Sequence, residues 1–291
     1  MFANNKKWTF LIILSIIWGS SFILMKKALI GLTPMQLGAL RILISGVLIL
    51  VAGFSTLKKI RRNEWKWIVV SGLLGTFFPA FLFALAITEI DSSIASILNS
   101  LTPLNTFLIG LALFKIVSTK RQIVGVVVGF LGTCILIGAG AQLNPDQNYL
   151  YAVLILIASV LYGANVNIIK RYLQHVNALA IAAGNFIVIM IPALLVLIST
   201  GFFKSDVLQQ PVLMTSLTYV FVLALFGTAL SKVMFNKLVQ ISTPVFASSV
   251  TYLIPVVALF WGVLDGEGFS LMQGLAAVLI FAGVYLANRK N

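Results

Sequence analysis

The chain has 291 residues, of which 60% are hydrophobic and only 9% are charged. Because about a quarter of the residues in a soluble domain are charged, this composition excludes a soluble globular protein and predicts an integral membrane protein. The formal net charge of +13 would suggest nucleic-acid binding in a soluble protein. Here the basic residues cluster in short loops between apolar segments, so we interpret them as topology signals that face anionic lipid. We expect the lipid bilayer, and no nucleic acid, as a partner.

Ten apolar segments follow one another along the chain. Each is close to the roughly 20 residues that a helix needs to cross the hydrocarbon core. The connections between them are short, so no soluble domain is inserted. The segments cover roughly residues 8–27, 34–54, 66–88, 92–114, 120–140, 149–171, 177–199, 212–236, 243–264 and 270–288.

The orientation follows from the charges of the loops. Lysine and arginine accumulate between segments two and three, between segments four and five, after segment six and at both ends of the chain. The positive-inside rule therefore predicts cytoplasmic N- and C-termini in a multi-pass cell-membrane protein. Lys26 and Lys27, at the outer end of segment one, are the exception. Most acidic residues lie in the opposite loops: Glu89, Asp91, Asp146, Asp206, Asp265 and Glu267.

The fourth segment, Ser92–Phe114, carries a polar stripe on an otherwise apolar helix. Ser92, Ser96, Asn99, Pro103 and Thr106 follow a 4-3-4-3 spacing, which is one face of a helix. Because lipid cannot satisfy polar groups, this face should meet protein or a water-filled cavity.

The same pattern returns later in the chain. Shifted by 152 residues, the matched pairs include Ser96 with Ser248 and Pro103 with Pro255, and shifted by 144 residues, Trp18 matches Tyr162. Each unit holds five spans, so two units in tandem must run in opposite directions. We predict an all-α membrane protein of ten transmembrane helices, built as two inverted five-helix repeats over residues 1–145 and 146–291.

Several short motifs together carry a resemblance to a known family. They are Trp18-Gly19-Ser20, Leu40-Arg41, Pro103 and Pro255 each before a glycine, and Asp265-Gly266-Glu267. With these motifs the chain resembles the EamA-type transporters of the drug/metabolite transporter superfamily over essentially its whole length. It departs from the family's pattern after span four, where Phe114-Lys115-Ile116 replaces the usual Gly-Glu. The resemblance implies two five-helix units, export of small metabolites, and a position away from the substrate path for segments five and ten.

Aromatic and small polar residues within the spans are the candidates for substrate contact. An aromatic ring beside a polar group suits a solute with an apolar body and a polar head. The alternatives are an interfacial belt for the aromatic residues and hydrogen bonds within the helices for the serines and threonines. Pro103 and Pro255 are candidate hinges, because proline frees backbone carbonyls and permits kinks. The predicted substrate-binding residues are Trp18, Ser21, Arg41, Phe78, Ser96, Asn99, Tyr162, Asn165, Lys232, Asn236, Ser248 and Tyr252.

Arg41 and Lys232 are the cations placed inside predicted spans. A charged side chain at the bilayer centre costs roughly 2.5–3.5 kcal/mol on insertion scales, so it usually faces the interior and has a function. The two residues would meet a carboxylate or phosphate of the solute. The alternatives are a structural contact with backbone carbonyls or snorkelling to the surface.

Residues that the chain lacks limit the possible functions. One cysteine, Cys134, and one histidine, His175, argue against a disulfide framework and a His/Cys metal site. We predict no catalytic residues, no metal and no cofactor. No acidic residue lies at mid-membrane, which disfavours organic cations and favours anions or zwitterions as solutes.

The leading hypothesis is a secondary transporter of small solutes, an exporter of amino acids or related compounds that works by alternating access. One alternative is a facilitator or exchanger of anionic or phosphorylated metabolites that uses Lys232 and Arg41. Remote alternatives are a membrane enzyme and a lipid scramblase. Segment five contains Gly125-x-x-x-Gly129, which favours close helix packing within the scaffold or a dimer contact, so we expect a monomer or a homodimer.

Overall fold

The computed structural model describes residues 2–114, 120–143 and 146–288, and all regular secondary structure in these ranges is helical. Eight of the helical stretches are long and apolar enough to cross a membrane. They correspond to predicted segments one to four and six to nine. Their bounds are Lys6–Ala28, Pro34–Lys59, Trp65–Ala86, Ser92–Leu113, Tyr149–Tyr172, Ala178–Ser199, Leu213–Ile241 and Pro244–Leu264.

Several of these spans consist of more than one helix. The α-helices of the described ranges are α1 (Phe2–Ala28), α2 (Pro34–Gly53), α3 (Trp65–Gly72), α4 (Phe78–Ala86), α5 (Ser92–Asn99), α6 (Thr102–Phe114), α7 (Lys120–Leu143), α8 (Ala152–Tyr172), α9 (Ala178–Ser199), α10 (Ser205–Leu208), α11 (Leu213–Val222), α12 (Ser231–Ile241), α13 (Pro244–Ser248), α14 (Ile254–Leu264) and α15 (Leu271–Asn288). Short 3₁₀ and π segments join some of them.

Local sequence explains where the helices begin. At α2, the Thr33 hydroxyl accepts a hydrogen bond from the Gln36 backbone nitrogen, and the Gln36 side chain accepts one from the Thr33 nitrogen. This reciprocal arrangement satisfies two of the free N–H groups at a helix start, and Pro34 already has a helical φ angle. At α9, the Asn177 side chain accepts a hydrogen bond from the Leu179 nitrogen in the same way.

The predicted fourth helix, residues 92–114, is two helices in the structure. It breaks at Ser100 and Leu101, between α5 and α6. Pro103 has no N–H and cannot donate to the Asn99 carbonyl four residues earlier. The Thr102 hydroxyl donates to that carbonyl instead, at 2.7 Å. The equivalent span of the second half breaks at the matching place, where α13 and a 3₁₀ turn, Ser249–Tyr252, precede α14 and Pro255. The hinge role of the two prolines stays a prediction.

Two π-helical segments lie at matching positions of the two halves. Leu73–Phe77 joins α3 to α4, and Leu223–Leu230 joins α11 to α12. Pro79 follows the first segment, so the Gly75 carbonyl lacks its ordinary α-helical donor. Short π segments inside α-helices occur frequently at functional sites.

Predicted segments five and ten are α7 and α15, which pack closely against each other. A side chain at Gly132 would meet the Ile280 backbone nitrogen at 2.9 Å, and one at Gly283 would meet the backbone at Gly129. The glycines therefore permit close packing. The apolar stretches found in this pair, Val127–Ala139 and Leu271–Gly283, are shorter than a full span. The ten-span topology, the inverted repeat and the side on which the termini lie stay predictions.

Helices of the first half pack against helices of the second half throughout the core. In the described ranges, α2 lies along α9, α1 along α14 and α11, and both α4 and α6 contact α8. The space between the halves is where the candidate site lies.

Candidate functional site: a cavity between the two halves

A cavity with about 950 Å³ of empty space, including the part open to the outside, lies between the two halves of the chain. Seven of the eight candidate spans contribute to its wall. The lining residues are Trp18, Ser21, Phe22, Met25, Arg41, Ile42, Gly75, Thr76, Ala80, Phe83, Asn99, Thr102, Tyr162, Asn165, Val166, Gly227, Thr228, Lys232, Phe235, Ser248, Thr251 and Ile254.

Eight of the twelve substrate-binding residues predicted from the sequence lie together in this wall, although their contact with a solute stays a prediction. They come from spans one, two, four, six, eight and nine. They are Trp18, Ser21, Arg41, Asn99, Tyr162, Asn165, Lys232 and Ser248.

The other four predicted residues lie outside the cavity lining. Phe78 is 45% exposed on the outer surface of the helices. Ser96 is buried and donates within its own helix to the Ser93 carbonyl at 2.6 Å. Asn236 is buried and donates to the Ala178 carbonyl at 3.3 Å, while Tyr252 packs against the hydrophobic core. We therefore leave these four residues out of the proposed site.

Several lining residues were not predicted from the sequence. Thr76 and Thr228 form a matched pair under the 152-residue shift, so the repeat itself was a usable signal for them. Phe22, Met25, Thr102 and Phe235 are ordinary apolar or small polar residues, and nothing in the local sequence distinguishes them.

Trp18 connects the two halves across the cavity. Its indole Nε1 donates to the Gly227 carbonyl at 3.0 Å, and its ring lies 5.1 Å from the ring of Phe235. Gly227 lies in the second π segment. The tryptophan therefore contacts protein as well as the cavity, and an interfacial belt does not describe its position.

Lys232 makes a corresponding contact in the opposite direction. It is only 7% exposed, and its Nζ donates to the Gly75 carbonyl of the first π segment at 3.2 Å. Gly75 and Gly227 occupy equivalent positions in the two halves. Each π segment thus presents a glycine carbonyl to a long side chain from the other half.

Arg41 is the second cation of the wall and is partly buried. Its Nε donates to the Thr228 hydroxyl at 2.6 Å, and its Nη1 lies 3.7 Å from the Met25 sulfur. Its equivalent in the second half is Asn185, which is fully buried and donates to the Ile68 carbonyl at 2.6 Å. The cavity is therefore chemically asymmetric although the helices around it are paired.

Asn165 and Thr76 complete the polar part of the wall. The Ser71 hydroxyl donates to the Asn165 side-chain oxygen at 2.7 Å. Gly75 gives this amide its room, because a Cβ at position 75 would lie 2.5 Å from the Asn165 side-chain carbon. The Thr76 hydroxyl is buried and has no hydrogen-bond partner among the described residues.

A charged cluster joins three helix ends on one side of the cavity; we call it the end cluster (Lys26, Lys27, Ser92, Ser93, Asp265 and Glu267). Lys26 pairs with Asp265 at 2.9 Å and with Glu267 at 3.0 Å, and Lys27 pairs with Asp265. Lys26 and Lys27 are at the end of α1, and Asp265 and Glu267 follow α14. The lysines that were the exception to the loop charge pattern are therefore paired with acids.

Glu267 also caps the N-terminus of α5. Its carboxylate accepts hydrogen bonds from the Ser92 nitrogen and hydroxyl at 3.1 and 2.7 Å, and from the Ser93 nitrogen and hydroxyl at 3.1 and 2.8 Å. Burial by itself raises the pKa of Glu267, but the hydrogen bonds from Ser92, Lys26 and Ser93 outweigh it and hold this pKa below its ordinary value. Hydrogen bonds from Lys27 and Lys26 lower the pKa of Asp265.

The counterpart of Lys26 in the second half is Lys170, which binds no acid in the described ranges. Its Nζ donates to the Ser242 carbonyl at 2.7 Å and to the Val239 and Gln240 carbonyls at 3.4 and 3.3 Å. These carbonyls lie at the end of α12, where a cation is favourable. Among the described residues, no group of three His, Cys, Asp or Glu side chains is arranged to hold a metal ion.

Comparison with known proteins identifies a family over both halves. The model of the EamA-like transporter family matches residues 6–138 and, a second time, residues 149–289. The "Uncharacterized inner membrane transporter YedA" of Escherichia coli strain K12 is 28% identical over 277 residues, covering 93% of this chain and 87% of that protein. The "Probable amino-acid metabolite efflux pump" of Salmonella typhimurium is 26% identical over 282 residues, covering 93% of this chain and 91% of that protein. A protein of known crystal structure has the same fold, with a TM-score of 0.67, 19% identity and coverage of 98% of this chain and 96% of that chain.

Proposed function

The chain belongs to the EamA-like transporter family and is a multi-pass cell-membrane protein, and on this premise we propose that it is a secondary transporter that exports amino acids or related small metabolites. The observation that carries the proposal is the cavity, whose polar side chains come from both halves. One Salmonella relative is named as an amino-acid metabolite efflux pump, which is the source of the solute class.

The mechanism we propose is alternating access by two inverted five-helix units, residues 1–145 and 146–291, with both termini in the cytoplasm. In that topology the end cluster lies on the outer side and closes the cavity there. Its ion pairs and helix-start hydrogen bonds join α1, α5 and the turn after α14, so all of them must break before the cavity opens outward. The contacts of Trp18 and Lys232 with the opposite π segments hold the halves together at the level of the cavity.

The test is solute counterflow into proteoliposomes, with a matched pair of variants. Asn99 and Ser96 lie three residues apart on α5, but only Asn99 lines the cavity. Asn99→Ala should raise the KM or lower the rate of saturable uptake, whereas Ser96→Ala should leave both unchanged. Equal effects of the two variants, or no saturable flux of any amino-acid metabolite, would contradict the proposal.

A second candidate is a facilitator or exchanger of anionic or phosphorylated metabolites. The two cations of the cavity wall, Arg41 and Lys232, favour it. Inhibition of amino-acid uptake by phosphate esters, lost in Lys232→Ala, would support this alternative over the leading one.

A further inference from the structure

Two basic side chains in the cavity have no acidic partner. All seven acidic residues of the sequence lie within the described ranges, and the ion pairs found there are those of the end cluster. Lys232 donates to a backbone carbonyl and Arg41 to a hydroxyl instead. The positive charge of the cavity is therefore left without a carboxylate of the protein to balance it.

The two cations line the same cavity. Thr228, which accepts the hydrogen bond of Arg41, also lies in the wall, on the same span as Lys232. Because no carboxylate balances either charge, an anion in the cavity would be attracted to both. Both side chains also have unused donors, since an ammonium has three N–H groups and a guanidinium has five.

Thr76 adds a neutral group without a partner. It is 7% exposed and lines the cavity, and its hydroxyl has no hydrogen-bond partner among the described residues. Its equivalent in the other half, Thr228, is the residue that accepts from Arg41. Since buried polar groups are normally hydrogen-bonded, an unpaired hydroxyl in the wall that also holds the two cations indicates a position for a ligand.

Part of the remaining lining is apolar and aromatic. This part includes Phe22, Phe83, Phe235, Val166 and Ile254, and the lining as a whole offers no carboxylate to receive the ammonium group of a zwitterion. The wall therefore suits a compact apolar body with one charged head.

We propose that the cavity selects organic acids of net negative charge, which place an oxyanion head between Lys232 and Arg41 and an apolar, ring-sized body against the aromatic wall. This inference rests on the proposed transport function and, within it, favours anionic solutes without a free amino group over amino acids. The shared head chemistry is a carboxylate or a phosphate, and both accept two parallel hydrogen bonds from arginine.

Binding of such a head would also change the contacts between the halves. Lys232 reaches from the second half to the Gly75 carbonyl of the first, and Arg41 reaches from the first half to Thr228 of the second. An oxyanion bound by the unused N–H groups of both side chains would add a further link between the halves, through the solute.

The experiment measures binding of matched compounds to the full chain in nanodiscs. Phenylacetate, phenylalanine, phenylacetamide and phenyl phosphate share an aromatic body and differ in the head group. We expect phenylacetate, phenyl phosphate or both to bind at least about tenfold more tightly than phenylalanine or phenylacetamide, since hydrogen bonds to charged groups are the stronger ones. The ratio between phenylacetate and phenyl phosphate identifies the head.

Variants of α12 assign the preference to Lys232. Lys232→Met should weaken binding of the anions by about 10- to 100-fold and leave phenylacetamide unchanged, because it removes charged hydrogen bonds and keeps most of the side-chain volume. Lys232→Arg should retain the preference for anions. Lys237→Met is the matched control, since Lys237 is exposed on the same helix and outside the cavity.

Two outcomes would overturn the inference. One is tighter binding of the zwitterion or the amide than of either anion, and the other is an anion preference that persists in Lys232→Met. Neither outcome affects the proposed transport function, which would fail separately if the proteoliposomes showed no saturable flux. Absence of binding by every anion of the panel would also refute the anion site.

Discussion

Removing the charge of Glu267 should open the cavity on the side of the end cluster. Its carboxylate is only 2% exposed and accepts five hydrogen bonds, from Lys26 and from both groups of Ser92 and Ser93. Glu267→Gln keeps one acceptor oxygen. In place of the other oxygen it puts an amide NH₂, which faces N–H and O–H donors that the wild-type carboxylate accepts from. The substitution therefore removes charge-assisted bonds and creates a donor–donor contact without changing the size of the side chain.

The size of the effect follows from the contacts. Breaking a buried ion pair by removing one partner costs about 3–5 kcal/mol, and a hydrogen bond to a charged group contributes about 1.5–3 kcal/mol. The Lys26 side chain is 35% exposed and is therefore partly screened by solvent. We expect the closed form to lose about 2–3 kcal/mol, which shifts the ratio of closed to open molecules by about 30- to 150-fold.

The assay is alkylation of a reporter cysteine by a membrane-impermeant maleimide. Met25→Cys lies in the cavity wall next to the end cluster, and Cys134→Ser removes the single native cysteine. In this background Glu267→Gln should accelerate labelling from the side of the end cluster. Asp206→Asn, at an exposed acid outside the cluster, is the control. An unchanged labelling rate in Glu267→Gln, or an equal increase in the control, would refute the role of the cluster as a closure.

Three further results are expected. The pKa values of Glu267 and Asp265 are lowered, so these carboxylates stabilise the closed form fully above the ordinary carboxyl pKa, and this stabilisation is lost as the pH falls below about 4. The rate of reporter labelling should therefore be constant near neutral pH and rise in acid. Gly163→Ala should lower the melting temperature because its Cβ would lie 2.7 Å from a backbone nitrogen of α6, at a cost of about 1–3 kcal/mol, whereas Gly138→Ala, with nothing within 4 Å, should not lower it. Trp18→Phe should reduce the free energy of unfolding by about 1 kcal/mol through the lost indole hydrogen bond, while the ring contact remains, and a melting temperature equal to that of the wild type would contradict this.

The length of the apolar segments was sufficient to predict the helical class and the eight spans of the described ranges that are long enough to cross a membrane. Polar positions in these segments also indicated eight residues of the cavity wall, because residues such as Asn99 and Ser248 combine a polar side chain with an apolar helix. In such a helix a polar group must face protein or water, so its position along the chain already indicates the interior. This reasoning needs no knowledge of the partners.

The same reasoning was wrong about continuity within the fourth span. A continuous helix would extend the polar face of Ser92, Ser96 and Asn99 through the whole span, whereas the structure ends α5 after Asn99. Within α5 itself only Asn99 lines the cavity, because Ser92 binds Glu267 and Ser96 bonds within its own helix. The proline near the break was visible in the sequence, but which residues of the stripe reach the cavity depends on tertiary packing.

The ion pairs between residues far apart in the sequence could not be predicted, for a different reason. Lys26 and Glu267 are 241 residues apart, and their charges alone indicate only which loop each occupies. Loop charge gave Lys26 no partner, whereas the structure surrounds it with both acids of the turn after α14. The repeat adds a physical contrast, because Lys170 is bound by backbone carbonyls at the equivalent helix end. The end cluster therefore depends on carboxylates that protonate in acid, whereas Lys170 donates to main-chain carbonyls that do not titrate, so acid should act selectively on the end cluster.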